Sequence, residues 1–183
     1  MYNMSKMKLL DLFKEALSTF FQNETKNILS DVSERNLCAR LAYYLEALFS
    51  KYDLSGYYAD SEYNRKQQGQ VKTILDDKLT VVSVTCDVIV HSRGEKIEQD
   101  NLIAIEMKKS NRPQSEKESD RDRLKALTKD SYDGIWSYDG KTHPEHVCGY
   151  SLGFYIEIDK NDRKYFFETY HKGNKVNEWV ENF

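Results

Sequence analysis

Apolar side chains near the start of the chain recur every three to four residues, as they do on one face of an amphipathic helix. The stripe consists of Leu9, Leu10, Leu12, Phe13, Ala16, Leu17, Phe20 and Phe21. It predicts a first helix from Ser5 to about Gln22. A second stripe of the same period predicts a helix from Asp31 to about Lys51, in which Asp31 is the N-cap and Glu34 completes a capping box.

Glu34 is an exception in the second stripe, because it is an acid on the inward-facing side of the helix. At 100° per residue it falls among Leu37, Leu41 and Leu45, whereas Glu46 lies well off that stripe. Two explanations remain open. Glu34 either caps its own helix or turns toward a functional site.

Strand-forming residues dominate the rest of the chain, since Val, Ile, Thr and aromatic side chains are dense there. We predict strands at Tyr57 to Tyr63, Leu79 to His91, Asn101 to Lys108, Val147 to Asp159 and Arg163 to Tyr170. We predict a loop or short helix at Asn64 to Lys78, a helix at Ser115 to Thr128 and a short helix at Asn177 to Glu181. This order in 183 residues predicts a single α/β domain, with a mixed central sheet flanked by helices.

Composition narrows the class of protein. Hydrophobic residues make up 39% and charged residues 31% of the chain, which is typical of a folded domain with a polar surface. No run approaches the roughly 20 apolar residues that span a bilayer, and the N-terminus lacks the apolar core of a signal peptide, so we expect a cytoplasmic protein. Cys38, Cys86 and Cys148 are widely spaced and predict buried free thiols.

Positive charge is concentrated in one segment although the formal net charge of the chain is −3. Met107 to Lys129 contains eight basic residues and four acidic ones. Such a segment is typical of a solvated helix whose side chains form ion pairs, and it is also what binding to backbone phosphates requires. The sequence leaves both interpretations open.

Side chains alternate between the two faces of a strand, so Glu106 and Lys108 point to one face while Ile105 and Met107 point to the other. A hairpin with the preceding strand, centred near Lys96 and Ile97, would place Asp87 opposite Glu106. Opposed residues have Cβ atoms about 5 Å apart, and two carboxylates at that distance repel each other unless a cation lies between them. The pattern therefore predicts a site for a hard divalent cation such as Mg²⁺ or Mn²⁺.

The combination of Asp87 with Glu106, Met107 and Lys108 resembles the Asp and Glu-x-Lys signature of the PD-(D/E)xK nuclease superfamily. The order of predicted elements is also similar to the αβββαβ core of the restriction-endonuclease-like fold, from about Asp31 to Asp159. An N-terminal helix and a C-terminal hairpin would be additions to that core. Cys86 stands where the name-giving proline of the family would be.

The resemblance implies a metal-dependent nuclease that hydrolyses phosphodiester bonds. It implies a DNA endonuclease that serves restriction or phage defence, with RNA as the second choice of substrate. The alternative is a catalytically silent member of the same fold that binds nucleic acid or a protein. Whether a homodimer or a partner protein supplies specificity stays open.

The resemblance also implies roles for particular residues. Asp87 and Glu106 would hold the metal, with the Met107 carbonyl and Glu34 as further ligands, and Lys108 would orient or deprotonate the attacking water. Residues expected to contact nucleic-acid phosphates are Lys109, Asn111, Arg121, Arg123 and Lys125, and additional site candidates near strand ends are Glu62, Arg65 and His91.

Overall fold

In the computed structural model two helices precede a run of strands that a third helix interrupts, and the residues described are 5–63, 73–75, 81–83, 85–130 and 148–183. The α-helices within these residues are α1 (Lys6–Leu29), α2 (Glu34–Ala47) and α3 (Gln114–Thr128). The strands are β1 (Tyr58–Ser61), β2 (Thr73–Leu75), β3 (Val81–Ser83), β4 (Val88–His91), β5 (Asn101–Lys109), β6 (Leu152–Asp159), β7 (Lys164–His171) and β8 (Asn174–Asn182).

Six of these strands form one mixed sheet in the order β1-β4-β5-β6-β7-β8, and β2 pairs with β3 in a separate two-stranded sheet. Strands β5 and β6 are parallel, whereas the other neighbours in the large sheet are antiparallel. Parallel neighbours need a crossover connection, and α3 lies in the segment that joins β5 to β6. The α/β class with a mixed sheet flanked by helices is therefore confirmed.

Helices α1 and α2 pack on one face of the sheet and form the larger core. Phe13 of α1 stacks on Phe154 of β6, with 3.6 Å between the ring centroids. Ile103, Ile105 and Met107 of β5 belong to the same cluster and are fully buried. Alternate residues of β5 thus face α1 and α2, as the strand period requires.

Helix α3 packs on the opposite face through a narrower apolar stripe. Ala104 of β5 and Leu124 of α3 belong to this second cluster. The helix approaches β6 closely at Gly153, where a Cβ atom would lie 2.9 Å from Cγ2 of Thr128. A side chain at position 153 would therefore force Thr128, or the helix that carries it, to shift.

Three helix boundaries differ from the prediction. Helix α1 continues to Leu29 instead of ending near Gln22. Helix α2 begins at Glu34 instead of Asp31, and it ends at Ala47 instead of near Lys51. The N-cap of α2 is Ser33, whose hydroxyl accepts a hydrogen bond from the backbone N–H of Asn36 at 3.2 Å. The predicted capping box at Asp31 is wrong, because Asp31 has a positive φ of 67° in the turn between the helices.

The long strand predicted from Leu79 to His91 is interrupted. Its first described part, β3, pairs with β2 and lies outside the large sheet, and β4 begins only at Val88. Because Thr73–Leu75 is a strand, the prediction of a loop or short helix at Asn64 to Lys78 is wrong there. Local sequence preference could not reveal these errors, since strand pairing depends on distant partners.

The predicted short helix at Asn177 to Glu181 is also wrong, because these residues belong to β8, which pairs with β7 along most of its length. Trp179 lies beside Phe167 of β7, and this cross-strand contact favours the extended backbone. Cys38, Cys86 and Cys148 are buried free thiols as predicted. Among the described helices, none has the length and apolarity that crossing a membrane would need.

A buried acid joins α1 to α2. The Oε1 atom of Glu24 accepts hydrogen bonds from Nε of Arg40 and from the hydroxyl of Tyr44, each at 2.7 Å. Its other carboxylate oxygen accepts one from Asn27 at 2.5 Å. Burial raises the pKa of Glu24, but the hydrogen bonds from Tyr44, Arg40 and Asn27 outweigh burial and lower the pKa below its ordinary value.

We expect the substitution Glu24→Gln to destabilise the protein by about 1 to 3 kcal/mol at neutral pH, because it weakens hydrogen bonds to a charged acceptor. The folded-state pKa is lowered, so the stabilisation is present above the ordinary pKa of 4.5 and is lost as the pH falls through the folded-state pKa. Urea unfolding at neutral and acidic pH measures this difference. Asp11→Asn, at an exposed position of α1, is the control and should leave stability unchanged at both pH values.

Candidate active site

The β4–β5 hairpin has the predicted register. Val88 pairs with Ile105, and Val90 pairs with Ile103. Asp87 immediately precedes β4, and Glu106 follows Ile105 along β5. The two acids therefore meet where the paired part of the hairpin ends.

Glu106 and Lys108 share one face of β5, as the alternation predicts. Nη1 of Arg123 on α3 donates to Oε1 of Glu106 at 2.7 Å. Nζ of Lys108 forms an ion pair with Oδ2 of Asp120 on α3, at 3.0 Å. Both charged side chains of β5 thus meet α3, whereas Met107 between them packs in the core on the other face.

Two carboxylates cover the edge of β5 beyond the end of β4. Oδ2 of Asp87 accepts a hydrogen bond from the backbone N–H of Met107 at 2.8 Å. Oε1 of Glu34 accepts one from the backbone N–H of Lys109 at 2.9 Å. Residues two apart in a strand direct their N–H groups to the same side. The acids from α2 and from the start of β4 therefore occupy neighbouring positions on one strand edge.

The buried thiol of Cys38 on α2 lies within the electrostatic reach of the whole cluster. Burial raises the pKa of Cys38 well above its ordinary value. The charged side chains that also act on this pKa are Asp87, Glu106, Glu34 and Lys108. The four side chains that the sequence predicted as catalytic therefore lie in one region of the fold, around the second half of β5.

Glu106 is the most deeply buried acid of the site, with no exposed surface. Its Oε2 atom has no hydrogen-bond partner among the described residues. Burial raises the pKa of Glu106 well above its ordinary value, and the nearby Asp87 raises it further, while Arg123 acts in the opposite direction. Burial also raises the pKa of Asp87, although the N–H of Met107 and the charge of Lys108 oppose this rise.

Lys108 carries its positive charge among these acids. Burial lowers the pKa of Lys108, but the carboxylates of Asp87 and Asp120 outweigh burial and raise it. A raised pKa keeps the ammonium group protonated at neutral pH. In this arrangement Lys108 can donate hydrogen bonds and stabilise negative charge, but it is a poor base.

Asp120 was not predicted as a site residue, although it contacts both cationic side chains of the site, Lys108 and Arg123. The residue is 3% exposed, and its Oδ1 lies 3.0 Å from Nη1 of Arg123, while Oδ2 contacts Lys108. A sequence signal existed. Asp120 lies between Lys117 and Leu124 on the buried stripe of α3, so it is an inward-facing acid just as Glu34 is.

Glu34 holds the end of β5 in place. Besides the N–H of Lys109, its Oε1 atom lies 3.5 Å from Nε of Arg112. The predicted role of Glu34 in binding a metal stays a prediction. Among the described residues, no group of three or more His, Cys, Asp and Glu side chains is arranged to hold a metal ion.

Residues predicted to bind phosphates already have partners within the protein. Lys109 pairs with Asp31, Arg121 with Glu168, Arg123 with Glu106, and Lys125 with Asp122, each at 2.7 to 2.8 Å. The guanidinium of Arg121 also lies 4.1 Å from the centre of the Tyr155 ring. Asn111 is exposed in the turn after β5. The ion pairs expected of a solvated helix are therefore present. Phosphate binding by these residues stays a prediction.

The additional candidates near strand ends differ in their positions. The backbone N–H of Glu62 donates to the carbonyl of Asp87 at 3.1 Å, so Glu62 lies beside the acid cluster. Glu62 pairs with Arg35 at 2.7 Å. His91 is buried at the opposite end of β4 from Asp87, and its Nε2 lies 3.0 Å from Oδ2 of Asp60. Arg65 lies outside the described residues.

In comparisons with known proteins, no family model, no curated protein and no solved structure matches the chain.

We expect Glu106→Gln to stabilise the protein at neutral pH in the absence of divalent metal. The folded-state pKa of Glu106 is raised, so the ionised carboxylate costs stability once the pH rises above its ordinary value of 4.5. Thermal unfolding should show a Tm increase of a few degrees, or roughly 1 kcal/mol for a chain of this size. The increase should disappear as the pH falls toward the ordinary pKa, which is opposite in sign to the effect of Glu24→Gln. A Tm decrease at neutral pH would contradict this assignment.

Proposed function

We propose that this protein is a metal-dependent nuclease with a restriction-endonuclease-like core. The observation that carries the proposal is the pair of carboxylates, Asp87 and Glu106, held together at the end of β4–β5 with Lys108 on the same face as Glu106. The order α2, β1, β4, β5, α3 and β6 supports the proposal, since it is the αβββαβ order with β2 and β3 inserted.

The chemistry of the donor atoms fits Mg²⁺ or Mn²⁺, which prefer carboxylate oxygens together with water and phosphate oxygens. Glu106 has a buried oxygen without a hydrogen-bond partner among the described residues, and its pKa is raised by burial and by Asp87. A cation between the two acids would remove both penalties. The carbonyl of Met107 points to the same strand edge as its N–H, beside Asp87, and is a third candidate ligand.

When bound, the ion would activate a water molecule and neutralise charge on the phosphate. Lys108, which stays protonated, would donate hydrogen bonds to the water or to a phosphate oxygen and stabilise the developing negative charge. Asp120 holds Lys108 in this position. Arg123 neutralises Glu106 in the metal-free protein, and its guanidinium would be available to a phosphate once Glu106 has a cation as partner.

DNA is the proposed substrate, and cleavage by an endonuclease of restriction or phage defence is the proposed context. The alternative is a catalytically silent protein that binds nucleic acid or another protein. The intact set of Asp87, Glu106 and Lys108 favours catalysis, because a module that only binds phosphate gains nothing from buried acids that repel it.

We expect the wild-type protein to cleave DNA in Mg²⁺ or Mn²⁺ and to be inactive in EDTA. Supercoiled, linear and single-stranded DNA and RNA should be tested in parallel, with products resolved on gels. Asp87→Asn and Lys108→Ala should abolish cleavage, because they remove a metal ligand and the charge that stabilises the transition state. Undiminished cleavage by both variants would refute the assignment.

Two further measurements separate loss of function from loss of fold. Asp120→Asn should slow cleavage by about 10- to 100-fold, because it leaves Lys108 and Arg123 without their common partner. Asp122→Asn, on the exposed side of the same helix, is the matched control and should cleave normally.

Mg²⁺ should also raise the Tm of the wild type but not that of Asp87→Asn, and a silent nucleic-acid-binding protein would show no such metal effect.

Binding of DNA in the presence of a non-catalytic metal tests the proposed phosphate contacts. We expect Lys125→Ala to reduce the slope of log affinity against log salt by about one unit, since one phosphate contact is lost. Lys8→Ala is the matched control, because Lys8 and Lys125 are 35% and 40% exposed and each pairs with an exposed aspartate. An unchanged slope for Lys125→Ala would count against this contact.

A further inference from the structure

Strand β8 forms one edge of the large sheet and is exposed along almost its whole length. Only Trp179 of its nine residues is not exposed. Val176 and Val180 are each 56% exposed, and they are among the few large hydrophobic residues exposed in the described part of the chain. Long exposed edge strands are ready to pair with another strand.

The hydrogen bonds to β7 show which backbone groups of β8 point outward. The N–H of Phe183, just after β8, donates to the carbonyl of Arg163 at 3.0 Å, so odd-numbered residues of this segment bond toward β7. The N–H and C=O groups of Glu178, Val180 and Asn182 therefore point away from the sheet. Within the residues that the structure describes, β7 is the only strand paired with β8.

We propose that a second copy of this chain pairs with β8 in antiparallel fashion, with the two-fold axis at Val180. An axis at a residue whose backbone groups point outward lets the two copies of that residue exchange both hydrogen bonds. An axis at Glu178 would oppose two carboxylates. An axis at Val180 opposes two valines and places each Glu178 opposite Asn182 of the other copy.

Apolar contacts on the α3 face support this register. Phe166 of β7 pairs with Val180 and is partly buried against the second core cluster. Joining two copies at Val180 creates one apolar row across four strands, formed by Phe166 and Val180 of each copy. Such aligned cross-strand side chains stabilise a sheet and would cover Val180, which is otherwise exposed.

Charges on the α1 face are complementary in the same register. Trp179 would lie opposite Glu181 of the second copy. Nζ of Lys14 lies 5.5 Å from the centre of the Trp179 ring, so each Glu181 would approach a lysine of the other copy. Symmetry provides this attraction twice.

The pairing gives a closed dimer and leaves the candidate active site outside the interface. The register shift between Thr169 and Tyr170 ends the regular ladder between β7 and β8 before Val176. Val176 therefore lies outside the part of β8 that would pair with the second copy. The other edge strand of the large sheet, β1, has only four residues and a different sequence. When β8 pairs with β8 of a second copy, the long edge strand of each copy is covered, and the assembly stops at two copies.

Sedimentation equilibrium on purified full-length variants tests this proposal. The wild type should be a dimer of the 21.5 kDa chain. Val180→Lys and Val180→Glu should each raise the dimer dissociation constant by about tenfold or more, because position 180 faces its own copy and like charges would be opposed. An equimolar mixture of these two variants should dimerise again, because opposite charges then meet at the axis.

Val176→Lys is the matched control, since this residue has the same exposure on the same strand and should leave dimerisation unchanged. A monomeric wild type, a Val180→Lys variant that dimerises normally, or a mixture that stays monomeric would each overturn the proposal. Larger assemblies would also overturn it, because they would mean that β8 pairs with a different surface. Hydrogen exchange at the N–H of Val180 provides a test without any variant, and it should slow as the protein concentration rises.

Discussion

The hydrogen bond between the carboxylate of Asp87 and the backbone N–H of Met107 determines where the β4–β5 ladder ends and where the acid cluster lies. A side-chain oxygen takes the place that a strand carbonyl would occupy, so the backbone of β5 stays satisfied beyond the last paired residue. The same contact places Asp87 beside Glu106. Glu34 repeats the arrangement at Lys109 and thereby connects α2 to the end of the strand.

This arrangement has a cost, because the site is built from acids that are expensive to bury. Glu106 is fully buried, and one of its oxygens has no partner among the described residues. Arg123 and Lys108 offset part of the repulsion, and Asp120 holds both cations in place. Elsewhere the protein buries an acid without this penalty, since Glu24 has three hydrogen-bond donors. The contrast supports the proposed catalytic role of Glu106.

Sequence reasoning was reliable where the physical rule is local. The period of strands placed Glu106 and Lys108 on one face, and the symmetry of a hairpin placed Asp87 opposite Glu106. It failed where pairing with a distant partner decides the conformation. Residues 177 to 181 have a composition that permits a short helix, yet β7 provides a partner for them and they form part of β8. The strand predicted from Leu79 to His91 failed for the same reason, because its first part pairs with β2.

The sequence by itself therefore determined the α/β class, the two faces of β5 and three members of the acid and lysine cluster, since backbone periodicity is independent of the rest of the chain. Only the tertiary structure decided how these charges are partnered. Asp120 and Arg123 approach β5 because α3 packs across the sheet, and Glu34 reaches Lys109 because α2 packs on the other face. Contacts between residues so far apart along the chain follow from the packing of helices on the sheet, which no local pattern specifies.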